Sequence, residues 1–247
     1  MNEALDKANK RGLFITFEGG EGVGKSTQIR LFAKRLEASG YEVVLLREPG
    51  GTPLGEKIRA LLLDPGNTEL DTTSELLLYE AARAQLVEDC IVPALEKGKT
   101  VLCDRYTDSS LAYQGAARGL GIELVRHANT IGSKGLVPDR TILLTGDVAV
   151  SLKKAAKKGA DRLESEGAEF HTRVHETFDA LAAAEPERIR VVRGQSTKPE
   201  TAEYVFNALR DLFPRAAEQP FEITPELLLR VKEEKASVSL RSKKDEA

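Results

Sequence analysis

Apolar residues cluster along the chain in five short runs, and between them polar and apolar positions alternate with helical spacing. The runs are Gly12–Glu18, Tyr41–Glu48, Lys99–Arg105, Asp139–Thr145 and Arg188–Arg193. Each is rich in β-branched and aliphatic residues and shows little in/out alternation, as for strands covered on both faces. The intervening segments carry helix punctuation. Thr27–Ser39 reads as a helix stopped by Gly40. Thr52 before Pro53 reads as an N-cap followed by a proline at the first helical position. Thr72 and Glu75 have capping-box spacing and open a long helix towards Leu95, which Pro93 is expected to end or kink. Strands alternating with helices predict an α/β fold with a parallel sheet between helical layers. No internal repeat is visible. After Phe213 the chain becomes mixed in charge and punctuated by proline. Residues 215–247 are therefore expected to form a flexible tail, with one short helix near Pro225–Lys232.

Composition narrows the class. With 247 residues and 41% hydrophobic content, the chain can bury a sizeable core. A formal charge of −3 gives no nucleic-acid footprint. No run approaches the about 18–20 apolar residues of a membrane span. The polar first 10 residues lack a signal-peptide centre and form an N-terminal extension, so a cytoplasmic location is expected. Cys90 and Cys103 lack metal-ligand spacing and read as ordinary buried thiols. His171 and His175 are four apart but lack the glutamate of a zinc-protease motif, and read as an exposed helix face.

The chemistry starts after the first strand. Gly19-Gly20-Glu21-Gly22-Val23-Gly24-Lys25-Ser26 spells G-x-x-x-x-G-K-S, followed by Thr27 at the head of a helix. Glycines allow successive N–H groups to line one concavity, and the helix N-terminus favours an anion. Lys25 is placed for the β and γ phosphates of a nucleotide and Ser26 for Mg²⁺. A guanine-reading N-K-x-D is absent from the sequence. The third strand ends Asp104-Arg105, and a cation there suits a second anionic substrate better than a hydrolytic water.

Arg47 ends the second strand, so Arg47, Arg105 and the glycine loop meet at the carboxyl edge of the sheet, where ligands of open α/β sheets bind. Two arginines there clamp a phosphate, or each pairs with a core carboxylate. Tyr79 and Arg83 share a helix face. They either stack on and read a base, or Arg83 lies over the core with its head in solvent. Tyr106, Ser109, Tyr113 and Gln114 follow the third strand and either read a base and sugar or form a polar helix start. The lysine run of Lys153, Lys154, Lys157 and Lys158 is a solvated face or, after the fourth strand, a lid over about residues 150–170.

Together, "FEGGEGVGKST", "REPGGT", "YEAARAQ", "DRYTDSSLAYQG" and "DRLE" resemble thymidylate kinases, of the phosphate-loop nucleoside monophosphate kinase group, over about Leu13 to Phe213. The resemblance implies a three-layer phosphate-loop NTPase fold with a five-stranded parallel sheet, a kinase domain over residues 11–214 and a helical lid. It implies transfer of the ATP γ-phosphoryl group to dTMP with Mg²⁺, in dTTP biosynthesis, by a homodimer. It also implies roles. Gly19 to Thr27 hold ATP, with Lys25 on its phosphates. Ser26, Glu48 and Asp104 surround the metal. Arg47 and Arg105 hold the dTMP phosphate, and Glu21 meets the deoxyribose 3′-OH. Tyr79 stacks on thymine, Arg83 and Gln114 read its edge with Ser109 and Tyr113 nearby, and Tyr106 crowds the sugar 2′ position. Arg162 is the lid arginine, with Lys157 and Lys158 as rival cations for the γ-phosphoryl group. The other readings are a kinase for another nucleotide or a deoxynucleoside, and a nucleotide-binding partner protein without turnover.

Overall fold

The computed structural model describes residues 11–146, 162–163 and 165–244, with side chains through residue 234. The N-terminal extension and the lysine run Lys153, Lys154, Lys157 and Lys158 lie outside the described residues.

Five parallel strands form one sheet in the order β2-β3-β1-β4-β5. They are β1 (Phe14–Glu18), β2 (Val43–Arg47), β3 (Thr100–Asp104), β4 (Arg140–Thr145) and β5 (Ile189–Arg193). All five lie within the runs expected from the sequence. The unalternating apolar pattern is explained by the two covered faces. Ile15, Phe17, Leu102, Ile142 and Leu144 point to one side, against Ile29, Phe32 and Leu36 of α1 (Lys25–Ala38) and Val205 and Phe206 of α6 (Lys198–Asn207). Phe14, Val101 and Cys103 point to the other, against Leu86 of α3 (Thr72–Leu86) and Ile91. Leu143 and Ile189 extend that second layer onto Phe170, Val174 and Phe178 of α5 (Ala168–Ala184). Burying one such side chain is worth about 1.5–3 kcal/mol.

Strand register sets up the site. Arg47 pairs with Asp104 across β2 and β3, and Phe17 pairs with Asp104 across β1 and β3. One row thus ends β2, β3 and β1 together. From β1 the chain crosses to β2 on one side, and from β3 it crosses to β4 on the other, so the crevice between β1 and β3 is a topological switch point.

The helix starts follow local chemistry, with two departures from expectation. Thr52 caps α2 (Pro53–Leu63), its Oγ1 accepting from Gly55 N at 2.9 Å. The cap of α3, however, is Asp71, whose carboxylate accepts from Thr73 N and Ser74 N. Glu75 is thereby released from capping and turns into the core, where it is fully buried. Pro93 does not end the long helix. A π-helical turn over Val87–Ile91 precedes it, and Pro93 falls in the first positions of the following turn Val92–Glu96, where a missing N–H costs little.

The expected flexible tail is a docked element instead. Helix α7 (Pro225–Lys244) lies along α1, with Val231 buried against Leu31 and Ala202, and Ile223, Leu227 and Leu228 beside them. Lys34 pairs with Glu234 at 3.3 Å. Arg35 stacks over Phe206 at 3.4 Å and Phe221 at 5.7 Å. Since α1 also carries the glycine loop at its start, deleting residues 223–247 is expected to expose Leu31 and cost about 2–4 kcal/mol. That is a fall of roughly 5–15 °C in Tm, read by calorimetry; an unchanged Tm would leave α7 without a structural role. No helix of the described residues is long and apolar enough to cross a membrane.

Candidate active site

The glycine loop joins β1 to α1. Gly19 has φ +129°, and a Cβ there would lie 2.2 Å from the Leu144 carbonyl oxygen. Gly24, the N-cap of α1, is left-handed at φ 106° and brings no side-chain cap. Thr27 N and Gln28 N donate to its carbonyl, which leaves the N–H groups of Lys25 and Ser26, among the described residues, for a ligand. Lys25 is 6% exposed and turns back over the loop, its Nζ donating to Gly19 O at 2.8 Å and Gly20 O at 2.7 Å. Burial and then the neighbouring Arg105 lower its pKa to about 8. The ammonium is underpaid for its burial until an anion arrives.

Arg105 follows β3 with φ 72°, in the left-handed region that a non-glycine residue seldom adopts. That turn folds its guanidinium back onto the loop. Its Nη1 donates to Gly19 O at 3.2 Å and Ser109 Oγ at 3.1 Å. Its Nη2 donates to Glu21 Oε1 and to Tyr113 Oη at 3.1 Å. Burial opposes its charge, but Glu21 and Tyr113 hold the guanidinium firmly protonated. Tyr113 Oη also bonds Glu21 at 3.2 Å. Beneath this cluster Glu18, fully buried at the end of β1, accepts from Tyr106 N at 2.7 Å and Ser109 Oγ at 2.6 Å.

Arg47 stands at the adjacent strand end and pairs with Glu56 of α2 at 2.7 Å. Glu48, next in the chain, is buried under Arg83 of α3. Arg83 is 1% exposed, and four of its five N–H groups are engaged. Nε bonds Glu48 at 2.8 Å, Nη1 bonds Glu80 at 2.5 Å and Asn129 at 2.7 Å, and Nη2 bonds Ser110 at 2.9 Å. Two carboxylates thus share one cation. Burial raises the Glu48 pKa to about 7, against the pull of Arg83. Burial, then Asp108, raises Glu18 to about 7 as well.

A carboxyl raised in the folded state binds its proton more tightly there than in the unfolded chain. The stability it contributes is complete below pH 4.5 and is lost as pH rises through about 7. The Tm of the ligand-free protein is therefore expected to fall as pH rises from about 4.5 to about 7 and to level off above it, and Glu48→Gln to flatten that slope. A slope unchanged by Glu48→Gln in calorimetry would mean that Glu48 stays ionised throughout.

The metal expectation fits the donor set. The Glu48 Oε1 atom is buried without a partner. Among the described residues no hydrogen bond or ion pair engages the Asp104 carboxylate, and no group of three or more His, Cys, Asp or Glu could hold a metal by itself. Few protein oxygens near a phosphate loop suit Mg²⁺, which keeps waters and takes phosphate oxygens as ligands.

The other expected site residues take these places. Tyr106 is fully buried, edge-on to Phe14 at 5.0 Å, with its hydroxyl donating to Leu136 O at 3.3 Å. The tyrosine whose hydroxyl reaches Glu21 and Arg105 is Tyr113. Gln114, 2% exposed, donates to Glu75 Oε1 at 2.7 Å. Arg162 does not meet Lys25 here; its Nη2 bonds Glu75 Oε2 at 2.5 Å and its Nε bonds Leu62 O at 3.0 Å. Tyr79 is half-buried between the clusters around Leu76 and Ile58. The histidine pair is not an exposed face. His171 is 2% exposed with Nε2 unpartnered, and His175 lies against Gly20. Cys103 is buried and Cys90 half-buried, both free thiols.

Sequence reasoning missed Glu18, Glu75, Glu80, Ser110 and Asn129. A partial signal existed: Glu75, Tyr79 and Arg83 recur at four-residue spacing, so Glu75 shares the stripe already singled out.

Comparison with known proteins agrees with this arrangement. The family model for thymidylate kinase matches residues 17–204. A thymidylate kinase of Deinococcus radiodurans is 52% identical over 77% of this chain and 91% of its own length. One from Geobacter sulfurreducens is 48% identical over 83% of this chain and 99% of its own. Among solved structures, thymidylate kinase from Ehrlichia chaffeensis superposes with a TM-score of 0.67 at 34% identity, covering 81% of this chain and 99% of that one. The parallel five-stranded sheet, the glycine loop at its switch point and these likenesses have one explanation: the chain belongs to the thymidylate kinase family, with the phosphate-loop NTPase fold.

Proposed function

We propose that this protein transfers the γ-phosphoryl group of ATP to dTMP, giving dTDP and ADP, in the cytoplasmic synthesis of dTTP. The observation that carries this reading is a shared atom. Lys25 and Arg105 both donate to the Gly19 carbonyl, at 2.8 Å and 3.2 Å. The lysine of the donor phosphates and the arginine of the acceptor phosphate therefore stand side by side, as in-line transfer requires.

Gly19 to Thr27 wrap the ATP phosphates, and Lys25 leaves its own carbonyls for them. Arg105, with Arg47 beside it, takes the dTMP phosphate. Glu21, already bonded to Arg105 and Tyr113, accepts from the sugar 3′-OH, with Ser109 and Tyr113 steadying the arginine. Tyr79 stacks on the base. The one uncommitted Arg83 N–H and the Gln114 amide read its edge. Ser26 and Asp104, with Glu48 behind, would hold Mg²⁺, which when bound would neutralise negative charge gathered between the two phosphates. Repulsion between two polyanions is the main barrier to their approach, and the cations of the site remove it. Arg162, released from Glu75, is the lid cation. The dimer forms on the outer face of α2, α3 and α4 (Ile122–Gly132), where Leu54, Leu61, Leu77, Leu124 and Ile131 are exposed, the last at 79%.

The test is ADP formation with dTMP, dUMP, dCMP, AMP and thymidine as acceptors, with Mg²⁺ and with chelator. dTMP is expected to lead, ahead of dUMP by about 10–200-fold in kcat/KM, the worth of one methyl contact. A faster rate with thymidine would transfer the assignment to a nucleoside kinase. Absence of turnover with every acceptor would leave a nucleotide-binding partner protein.

A further inference from the structure

Helix α5 begins directly after the segment that contains the expected lid, and its side chains reach the glycine loop. An ideal Cβ at Gly20 would lie 2.5 Å from both Cε1 and Nε2 of His175. Gly20, unlike Gly19 and Gly24, has no left-handed φ, so the backbone strain that favours glycine at those two positions is absent here. The space a side chain at position 20 would need is taken by the ring of His175. The carbonyl of the same Gly20 accepts the Lys25 ammonium at 2.7 Å. Burial, with Lys25 and His171 acting in the same direction against Asp179, keeps the imidazole of His175 below its ordinary pKa. A neutral ring can sit beside the lysine without repelling it.

We propose that His175 is a positioning residue for the phosphate loop: its ring fills the place of the absent side chain at Gly20 and fixes the carbonyl on which Lys25 rests. Post-lid helix and loop are then one packed unit, and packed interiors transmit displacement. The inference rests on the reading of the loop as the ATP site. It predicts that the His175–Gly20 contact governs ATP affinity more than dTMP affinity, because Lys25 rests on the Gly20 carbonyl itself, whereas the dTMP cluster around Arg105 and Tyr113 meets the loop only at the flanking Gly19 and Glu21.

The test is a double-mutant cycle with Mg·ATP and dTMP affinities measured separately by calorimetry. Gly20→Ala overpacks the contact and is expected to weaken ATP binding by about tenfold or more. His175→Ala removes the brace and weakens it by a smaller factor. The double variant, in which the methyl occupies the vacated space, is expected to return to the His175→Ala value, with dTMP affinity changing by a smaller factor than ATP affinity throughout. A double variant as weak as Gly20→Ala alone, or equal losses for ATP and dTMP, overturns the proposal. Should Gly20→Ala fail to fold, His175→Ala and His175→Gln decide it. ATP affinity is expected to fall with alanine and to be kept with glutamine, and equal affinity in wild type and His175→Ala overturns the proposal. The cycle reads ATP binding and the acceptor panel reads turnover, so the two readings fail separately.

Discussion

Lys25→Met is expected to lower kcat by about 10³-fold or more, of the order seen when a charge-stabilising donor is removed from a transition state, while the protein stays folded. The physical reason lies in the resting state. Lys25 is 6% exposed, hydrogen-bonded among the described residues only to two carbonyls of its own loop, and lowered to about pKa 8 by burial and by Arg105. Its charge is held at a cost and contributes little to the fold. Methionine has similar length and no desolvation cost, so the Tm should stay the same or rise. The substrate KM values should change less than kcat, because the ammonium bonds most strongly to the charge that develops on the transferring group. Turnover and Tm on the same preparation check both halves. A large drop in Tm would show that Lys25 is structural, and near-normal kcat would remove the phosphate-loop assignment.

Arg83→Leu is the change expected to cost most stability, about 3–5 kcal/mol, because it leaves buried carboxylates without their cation. Glu48 and Glu80 are 5% and 6% exposed, and each bonds the guanidinium directly. Asn129 and Ser110 lose a partner with it. The Tm should fall by roughly 6–20 °C. The loss should be smaller at pH 6 than at pH 8, since the Glu48 carboxyl, already raised to about 7, protonates and relieves the repulsion. Adding Glu48→Gln and Glu80→Gln to Arg83→Leu should recover much of the stability. Denaturation at both pH values decides it: a loss independent of pH, or no recovery in the triple variant, would mean that packing of the arginine stem dominates.

The amino-acid sequence by itself determined the features that local chemistry controls. Five apolar runs became five parallel strands because strands buried on both faces need continuous apolar sequence. The glycine loop was legible because its work is done within eight consecutive residues, by backbone and one lysine. Thr52-Pro53 was legible for the same reason.

Tertiary structure decided which residues meet and which way they face. Tyr106 and Tyr113 are both tyrosines after β3, and helical spacing cannot choose between them. The choice is made by a π-helical turn over Leu111–Ala117, which rotates Tyr113 towards Glu21 while Tyr106 drops into the core. Glu75 had the spacing of a cap, but Asp71 took that place, and the carboxylate went inward to Gln114, Arg118 and Arg162. Pattern reading sends polar side chains to solvent because an unpartnered charge is costly to bury. It has no means of seeing partners supplied by a distant strand or helix, as Glu48 is for Arg83 across 35 positions. The same blindness made the C-terminal segment look like a tail. Ile223, Leu227, Leu228 and Val231 form too narrow a stripe to fold alone, and only the surface of α1 beneath them turns it into a docked helix.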